Sequence, residues 1–198
     1  MQEAGAPERG PERLRVRCEV RTVWARQPRG AVHDAHPRLR IEIGKRRDGA
    51  TTFRLVRADG SATWQRHEKP KAAFFPLHDL EHFAVETVLG HSRGFYGLVA
   101  EGWELGDFGT PWPRGPMPAD MDPSESIVGF LDLERATGVE LTADEVNDQL
   151  QAKLGERHAS VRIAEEELAR VRAVVRELHT RWWELPQGET MTLEFDVS

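Results

Sequence analysis

The chain has 198 residues, of which 39% are hydrophobic and 30% are charged, and it carries a net charge of −6. This composition excludes a protein embedded in a membrane, which needs long uncharged segments, and a disordered chain, which lacks this many apolar residues. Cys18 is the single cysteine, so an internal disulfide is excluded and a buried thiol is predicted. Because no segment resembles a signal peptide, we expect a cytoplasmic protein.

Charge is distributed unevenly along the chain. Lys and Arg number 17 against 9 acids up to Phe75, and 10 against 24 acids after it. A basic half of this kind can bind an anion such as nucleic acid, here through Arg15, Arg17 and Arg21. We expect instead that a basic sheet packs beside acidic helices of the same chain, which disfavours nucleic acid as a partner.

Alternation of apolar and polar residues predicts antiparallel strands in the first part of the chain. After a flexible tail at 1–12, strands are expected at 14–24, 38–43, 51–57 and 62–66. Asp59-Gly60 is typical of a tight hairpin between the last two of these strands. A last alternating segment, Met191 to Val197, predicts a terminal strand that returns to this sheet, with Glu194 and Asp196 near its arginines.

Helical signals occupy the middle of the chain. Pro76 and Gly90 bound a predicted helix at 76–89, a shorter helix is expected at 95–105, and the proline-rich residues 110–118 must form a loop. Asp122 is the predicted N-cap of a helix that ends at Gly138, and Thr142 is the predicted cap of the next one. Apolar residues at spacings of three and four from 161 to 182 then predict a long amphipathic helix, with Gly155 as a candidate hinge.

These patterns predict an α+β fold in which an antiparallel sheet of four to five strands, formed by the N-terminal meander and the C-terminal strand, packs with four to five helices. One domain is expected over 13–198, with a basic β-rich part (13–75), an acidic helical part (76–188) and the terminal strand (189–198). The sequence contains no P-loop, dinucleotide fingerprint or G-x-S-x-G motif, which disfavours familiar nucleotide chemistry and serine hydrolysis.

The segment 77–86, LHDLEHFAVE, concentrates coordinating side chains within one predicted helix. His78 and His82 are four residues apart, so they project from one face and can bind a single ion. Glu86 continues this row and lies about 12 Å from His78 along the axis, so it would bind a shifted ion or orient His82. We predict His78, His82 and Glu86 as metal-binding residues, and Asp79 and Glu81 as catalytic carboxylates, with Asp79 alternatively a ligand. Zinc is expected first, and iron or manganese would also fit.

The string from His78 to His82 satisfies H-x-x-E-H and resembles the inverzincin metallopeptidases over those five residues. The resemblance implies that Glu81 acts as base on a zinc-bound water and that a later helix supplies a further glutamate ligand. Glu140, Glu145 and 165–167 are candidates for it. The same string looks like the H-D-x-x-H motif of a family of ubiquinone-biosynthesis proteins, whose later glutamate corresponds here to Gly94.

Other histidines and acids are candidates to complete the site. His91 follows the predicted helix directly, and His67, His33 and His36 are further possible ligands. We expect an enzyme if both imidazoles of the segment 77–86 open into a cavity that is lined by Glu101, by Asp107 or by the proline-rich loop.

Two functional interpretations follow. The first is a small metal-binding protein, with metal-dependent hydrolysis of a small molecule or a peptide as its expected activity. The second is a non-catalytic binding or assembly protein that forms a homo-oligomer through the C-terminal helix and Trp183. A purely structural role for His78 and His82 also remains open, although unpaired polar groups on a largely apolar helix would cost about 1 to 3 kcal/mol each.

Overall fold

The computed structural model describes residues 38–155 and 161–197 of the chain. The predicted tail at 1–12, the predicted strand at 14–24 with Cys18, and His33 and His36 lie outside these residues. Within the described part, four strands form one antiparallel sheet and five α-helices pack with it. This arrangement confirms the predicted α+β fold class.

The sheet has the strand order β3-β2-β1-β4. Its strands are β1 (Arg38–Lys45), β2 (Thr51–Val56), β3 (Ala62–His67) and β4 (Thr190–Asp196). The terminal strand pairs with β1 in antiparallel register, with Leu193 opposite Ile41. On the exposed face of this pair, Arg38 and Asp196 form an ion pair at 2.9 Å. The predicted return of the terminal strand to the sheet is therefore confirmed.

The period of two in β1 explains why one face of the sheet is buried. Leu39, Ile41 and Ile43 are almost fully buried, whereas Arg38 and Arg40, which alternate with them, are exposed. The β2–β3 hairpin turns at Gly60, whose φ of +86° lies in the left-handed region that favours glycine. The hairpin predicted from Asp59-Gly60 is confirmed.

The helices are α1 (Lys71–Leu89), α2 (Phe95–Ala100), α3 (Ser124–Thr137), α4 (Ala143–Leu154) and α5 (Glu165–Glu184). A 3-10 turn at Leu105–Phe108 follows α2, so the predicted helix at 95–105 is shorter than expected. Gly90 and Gly138 end α1 and α3 with positive φ, as predicted.

The predicted start of α1 at Pro76 is wrong, because the helix begins five residues earlier at Lys71 and contains the proline. Proline lacks only one N–H and therefore leaves a single carbonyl, that of Ala72, without its helical donor. The turn before it is held by hydrogen bonds from Ala72 N to Glu68 O and from Ala73 N to Pro70 O. This extra turn places Lys71 on the same helix as the histidines.

The predicted cap at Asp122 is also wrong, since α3 has no side-chain cap. The Asp122 carboxylate instead accepts the backbone N–H of Arg93 at 2.7 Å and ties the start of α3 to the loop after α1. The cap at Thr142 is confirmed: its hydroxyl accepts the N–H of Glu145, and the Glu145 carboxylate accepts the N–H of Thr142.

The apolar residues predicted at spacings of three and four form a seam, a continuous row on one face of α5. This helix begins at Glu165 and is separate from α4. Near the start of α5, the Asn147 side chain bonds both the N–H and the C=O of Ile163, which fixes the chain there in a non-helical conformation. The seam packs within its own chain, because its members are buried: Leu168, Val171, Val175, Leu178 and Trp182. Trp183, next to the seam, is 64% exposed.

The hydrophobic core lies between the sheet and the helices. The α1 helix packs against α5 and α3 and also contacts the sheet, which makes α1 the central helix of the described part. Leu80 and Ala84 of α1 are fully buried in this core. Complete burial of one leucine side chain stabilises a fold by about 1.5 to 3 kcal/mol. Among the described residues, no helix combines the length and the apolar character that a membrane span requires.

Candidate metal centre

His78 and His82 lie on one face of α1, as their spacing predicted. Their ring centroids are 4.9 Å apart, and the ring planes meet at 72°. His82 is 2% exposed, and His78 is partly buried. The two imidazoles are therefore neighbours on a rigid helix, and both are held in a largely dry environment.

Each imidazole is oriented by a carboxylate on its Nδ1 atom. Nδ1 of His78 lies 2.8 Å from Oδ2 of Asp132, and Nδ1 of His82 lies 3.1 Å from Oε1 of Glu86. A neutral imidazole whose Nδ1–H donates to a carboxylate keeps its lone pair on Nε2. Metal-binding histidines in proteins are commonly oriented in this way.

Both Nε2 atoms face one carboxylate oxygen. Oε2 of Glu125 lies 2.9 Å from Nε2 of His82 and 3.9 Å from Nε2 of His78. Donor atoms of these three residues lie within 4.8 Å of one another. The Glu125 side chain is 64% exposed, so solvent reaches this group from the side of α3. Two imidazole nitrogens and one carboxylate oxygen thus converge on one point.

The protonation of His82 follows from its two acidic neighbours. Burial disfavours its charged form, but hydrogen bonds and negative charges from Glu125 and Glu86 outweigh burial and raise the pKa of His82 to about 10. The same hydrogen bond from His82 lowers the pKa of Glu125, although partial burial acts in the opposite direction. Without a metal, His82 is therefore an imidazolium that bridges two carboxylates.

Glu86 lies behind His82 and is 1% exposed. Its Oε1 accepts the backbone N–H of Phe95 at 2.8 Å, and its Oε2 accepts that of Tyr96 at 2.9 Å. A side chain at Gly94 would meet the Glu86 carboxylate, which explains the glycine at that position. Burial raises the pKa of Glu86, whereas the hydrogen bond from His82 and those from the two backbone N–H groups lower it. The structure places this predicted ligand on the Nδ1 side of His82, away from the Nε2 atoms.

Asp79 is buried next to the histidines and lines the same cavity. Its Oδ2 atom has no hydrogen-bond partner among the described residues. Burial raises the pKa of Asp79 to about 8, against the lowering effect of the nearby His82. The Tyr96 hydroxyl donates to the backbone carbonyl of Asp79 at 2.8 Å and fixes this turn of α1. The position and the pKa of Asp79 suit proton transfer near neutral pH.

Glu81 lies away from this cavity, on a second one that it lines together with Arg172 and His179. Nε of Arg135 donates to Oε1 of Glu81 at 3.0 Å, and Nε2 of His179 lies 3.6 Å from the same oxygen. Burial raises the pKa of Glu81 to about 8, and the Asp132 charge adds to this effect. A second group of donor atoms consists of His78, Glu81 and Asp132. Arg135 bonds both carboxylates of this group and so supplies it with a positive charge.

The cavity in front of the Nε2 atoms has a volume of about 470 Å³. It is lined by His78, Asp79, His82 and Glu125, and the loop predicted at 110–118 contributes Trp112 and Met117. Both imidazoles thus open into a cavity that the proline-rich loop partly covers. Of the other residues expected there, Glu101 pairs with Arg93 and the Asp107 carboxylate accepts the N–H of Glu104. Neither of these acids lines the cavity.

Of the remaining candidate ligands, His67 lines the same cavity, and the others that the structure describes lie elsewhere. Nδ1 of His91 is 2.9 Å from the Ser124 hydroxyl. Glu140 lies near Arg172 and Arg176, and Glu145 caps α4. Glu165, from the run at 165–167, accepts the N–H of Ala143. The third ligand of the candidate site is instead Glu125, which the sequence indicated only as part of a helix start.

Sequence reasoning missed both Glu125 and Asp132. These residues are seven positions apart, which corresponds to about two turns and places them on one face of α3. That spacing was visible in the sequence, but many helix faces carry two acids. Only the packing of α3 against α1 shows that this face meets His78 and His82.

Comparisons with known proteins add no relative. No protein-family model, no curated protein and no solved structure matches this chain. Any functional conclusion therefore depends on the geometry of the site.

Proposed function

We propose that this protein is a metal-dependent hydrolase of small molecules, with a divalent cation bound by His78, His82 and Glu125. One observation carries the proposal: both Nδ1 atoms are held by carboxylates, while both Nε2 atoms face the same oxygen at the wall of a cavity. A purely structural pair of histidines has no need for this common orientation.

The donor atoms fit a first-row metal ion. Ligand atoms around a tetrahedral zinc ion with bonds of about 2.0 to 2.1 Å lie about 3.4 Å apart. The distances from Glu125 Oε2 to the two Nε2 atoms, 2.9 and 3.9 Å, lie on either side of that value. Two histidines and one carboxylate leave coordination positions open for water or substrate, which is typical of catalytic rather than structural sites. Zinc is our first expectation, with manganese and iron as alternatives.

The chemistry divides between the cation and this chain's own residues. A divalent cation would supply Lewis acidity toward a carbonyl or phosphoryl oxygen and would favour deprotonation of a water. Asp79 is the proposed acid–base group, because this residue lines the same cavity and its buried Oδ2 has no hydrogen-bond partner among the described residues. Asp132 and Glu86 hold the rings of His78 and His82 in place. We assign no catalytic role to Glu81, because the cavity that it lines is a different one.

Metal-dependent hydrolysis tests this proposal. Protein is stripped with a chelator and reloaded with zinc, manganese or ferrous iron, and turnover of aryl carboxylic esters, aryl amides and aryl phosphates is measured. We expect turnover only with metal, and a loss of about 100-fold or more in Asp79→Asn with metal content unchanged. Asp120→Asn is the matched control, because the Asp120 side chain is 72% exposed and Arg93 is its one ion-pair partner among the described residues. Absence of metal-dependent turnover, or full turnover in Asp79→Asn, would contradict the proposal.

Other expectations from the sequence stay predictions. They are the cytoplasmic location, the disfavoured role of nucleic acid and a homo-oligomer formed through α5. The exposed Trp183 is the residue through which α5 would contact a second copy. Sedimentation of the wild type and of Trp183→Ala tests that alternative, since an unchanged monomer would argue against it.

A further inference from the structure

The cavity extends along α1 beyond the proposed metal ligands. Lys71, Phe75, His78 and His82 follow one another at spacings of four, three and four, so they share one face of the helix, and all four line the cavity. Seven residues separate Lys71 from His78, which corresponds to about 10 Å along the axis. One end of the cavity is therefore the metal centre, and the other end carries a lysine.

The lysine end contains two polar groups, those of His67 and Lys71, for which the described part of the chain provides no partner. His67 is 7% exposed and its ring stacks on Phe75 at 4.4 Å, yet its Nε2 atom is buried with no hydrogen bond to any described residue. Lys71 lies at the mouth and forms no ion pair with residues 38–155 or 161–197. An unpartnered buried polar atom costs about 1 to 3 kcal/mol. The unpartnered Nε2 atom of His67 therefore favours a ligand with a polar group that would form a hydrogen bond with it.

The walls between the two ends are mainly apolar. Phe95 lies 5.2 Å from the His82 ring and 4.8 Å from the Phe108 ring, centroid to centroid. Further apolar lining comes from Leu105, Trp112, Met117 and Met121. Aromatic rings and methionines contact aliphatic and aromatic ligand bodies favourably, and they provide no partner for a second charge. A ligand that fills the cavity is thus apolar along its middle.

We infer that the substrate is an elongated small-molecule carboxylate, whose carboxylate binds Lys71 and His67 and whose reacting bond lies at His78, His82 and Glu125. This inference rests on the proposed function. The Lys71 ammonium matches one negative charge, and Nε2–H of His67 donates to the same carboxylate. Lys71 is the only lysine or arginine in the cavity wall as described, which favours a carboxylate over a phosphate dianion.

Two-ended probes test this inference. Alkyl hydroxamic acids chelate metal ions, and we compare chains of equal length that end in a methyl group, a carboxylate or a phosphonate on zinc-loaded protein. We expect the carboxylate to tighten binding about tenfold or more over the methyl end, which corresponds to about 1.4 kcal/mol. The gain should be greatest when the chain spans about 10 Å.

Variants distinguish direct binding of the carboxylate by Lys71 from a general effect of nearby positive charge. Lys71→Gln should abolish the carboxylate gain while binding of the methyl-ended probe is unchanged, and Lys69→Gln, a nearby lysine outside this cavity, should keep the gain. His67→Phe preserves an aromatic ring against Phe75 but removes the donor, so it should reduce the gain. Equal affinity of methyl and carboxylate probes, persistence of the gain in Lys71→Gln, or a tighter phosphonate would overturn the inference.

A second experiment distinguishes failure of the inferred carboxylate site from failure of the proposed metal centre. If the methyl-ended hydroxamate shows no zinc-dependent binding, the proposed function fails. Binding of arylalkyl carboxylates and of alcohols of equal length is then compared on metal-free protein. We expect the carboxylates to bind more tightly and to lose that advantage in Lys71→Gln. No such preference would overturn the inference independently of the metal.

Discussion

Nε2 of His82 lies 2.9 Å from Oε2 of Glu125, a residue 43 positions away in the sequence. This contact joins the middle of α1 to the first turn of α3 at the wall of the cavity. Because the Nδ1 atom of the same ring is held by Glu86, one buried imidazole connects two carboxylates. The metal-free protein is therefore stabilised here by a protonated histidine, and a metal ion would take the place of that proton.

The first prediction concerns the pH dependence of the metal-free protein. The folded-state pKa of His82 is about 10, above the ordinary value of 6.5, so its stabilisation is complete below pH 6.5 and is lost as the pH rises through about 10. We expect the free energy of unfolding to fall by about 1 kcal/mol per pH unit between pH 8.5 and 9.5, where Asp79 and Glu81, with pKa values of about 8, are already largely ionised. Urea unfolding in the presence of a chelator measures this slope.

Two variants test the assignment of that slope to His82. His82→Asn should flatten it and lower stability at pH 7. His179→Asn should keep it, because burial lowers the pKa of His179 and that residue does not titrate above pH 7. A wild-type slope that survives in His82→Asn would show that another group is responsible.

The second prediction is that Asp79 lowers the free energy of unfolding of the metal-free protein at pH 8. Burial raises the folded-state pKa of Asp79 to about 8, so its contribution is favourable only at acidic pH and is lost as the pH rises from 3.8 through 8. Asp79→Asn removes the ionisable group and keeps the shape. We expect it to stabilise the metal-free protein at pH 8 by about 1 to 3 kcal/mol, while turnover of the metal-loaded protein falls by about 100-fold or more.

Thermal and urea unfolding at pH 5 and pH 8 measure this effect, and the gain should be smaller at pH 5. Asp120→Asn, on an exposed aspartate, serves as the control and should change stability by less than about 0.5 kcal/mol. Destabilisation by Asp79→Asn at both pH values would mean that the carboxylate has a favourable partner in solution.

The third prediction concerns Glu86 as an anchor. Its two oxygens accept one N–H each from Phe95 and Tyr96, and Oε1 also faces His82. Glutamine has one acceptor oxygen, so Glu86→Gln would place an NH₂ group against at least one of these donors. We expect a loss of about 2 to 4 kcal/mol in the free energy of unfolding, measured with urea. Glu101→Gln, on a half-exposed pair with Arg93, should cost about 0.5 kcal/mol or less.

The fold was largely predictable because its signals are local. The period of two in β1 and β4, the glycines that end α1 and α3, and the cap at Thr142 each act over a few residues. Errors arose where tertiary contacts replaced local rules. Pro76 lies inside α1, and Asp122 bonds Arg93 rather than capping α3.

The site was predictable only in part, because tertiary contacts also decide which residues meet there. The spacing of His78 and His82 defines one face of a helix, and the structure shows them as neighbours. The roles of the surrounding acids depend on which element packs on which face. Asp79, Glu81 and Glu86 share α1, yet they face the cavity, Arg135 and the start of α2, respectively. The sequence does not show that α3 brings Glu125 to the histidines.

Metal binding by the purified protein tests the central claim most directly. Chelator-treated protein is titrated with zinc by calorimetry, and bound metal is counted by mass spectrometry. We predict one ion per chain and stabilisation of about 2.7 kcal/mol at a free concentration 100 times Kd, with affinity reduced about 100-fold or more in His78→Ala, His82→Ala and Glu125→Gln. His179→Asn should bind as the wild type does. Zinc, manganese and iron all failing to bind, or binding equally to the wild type and these three variants, would contradict the account.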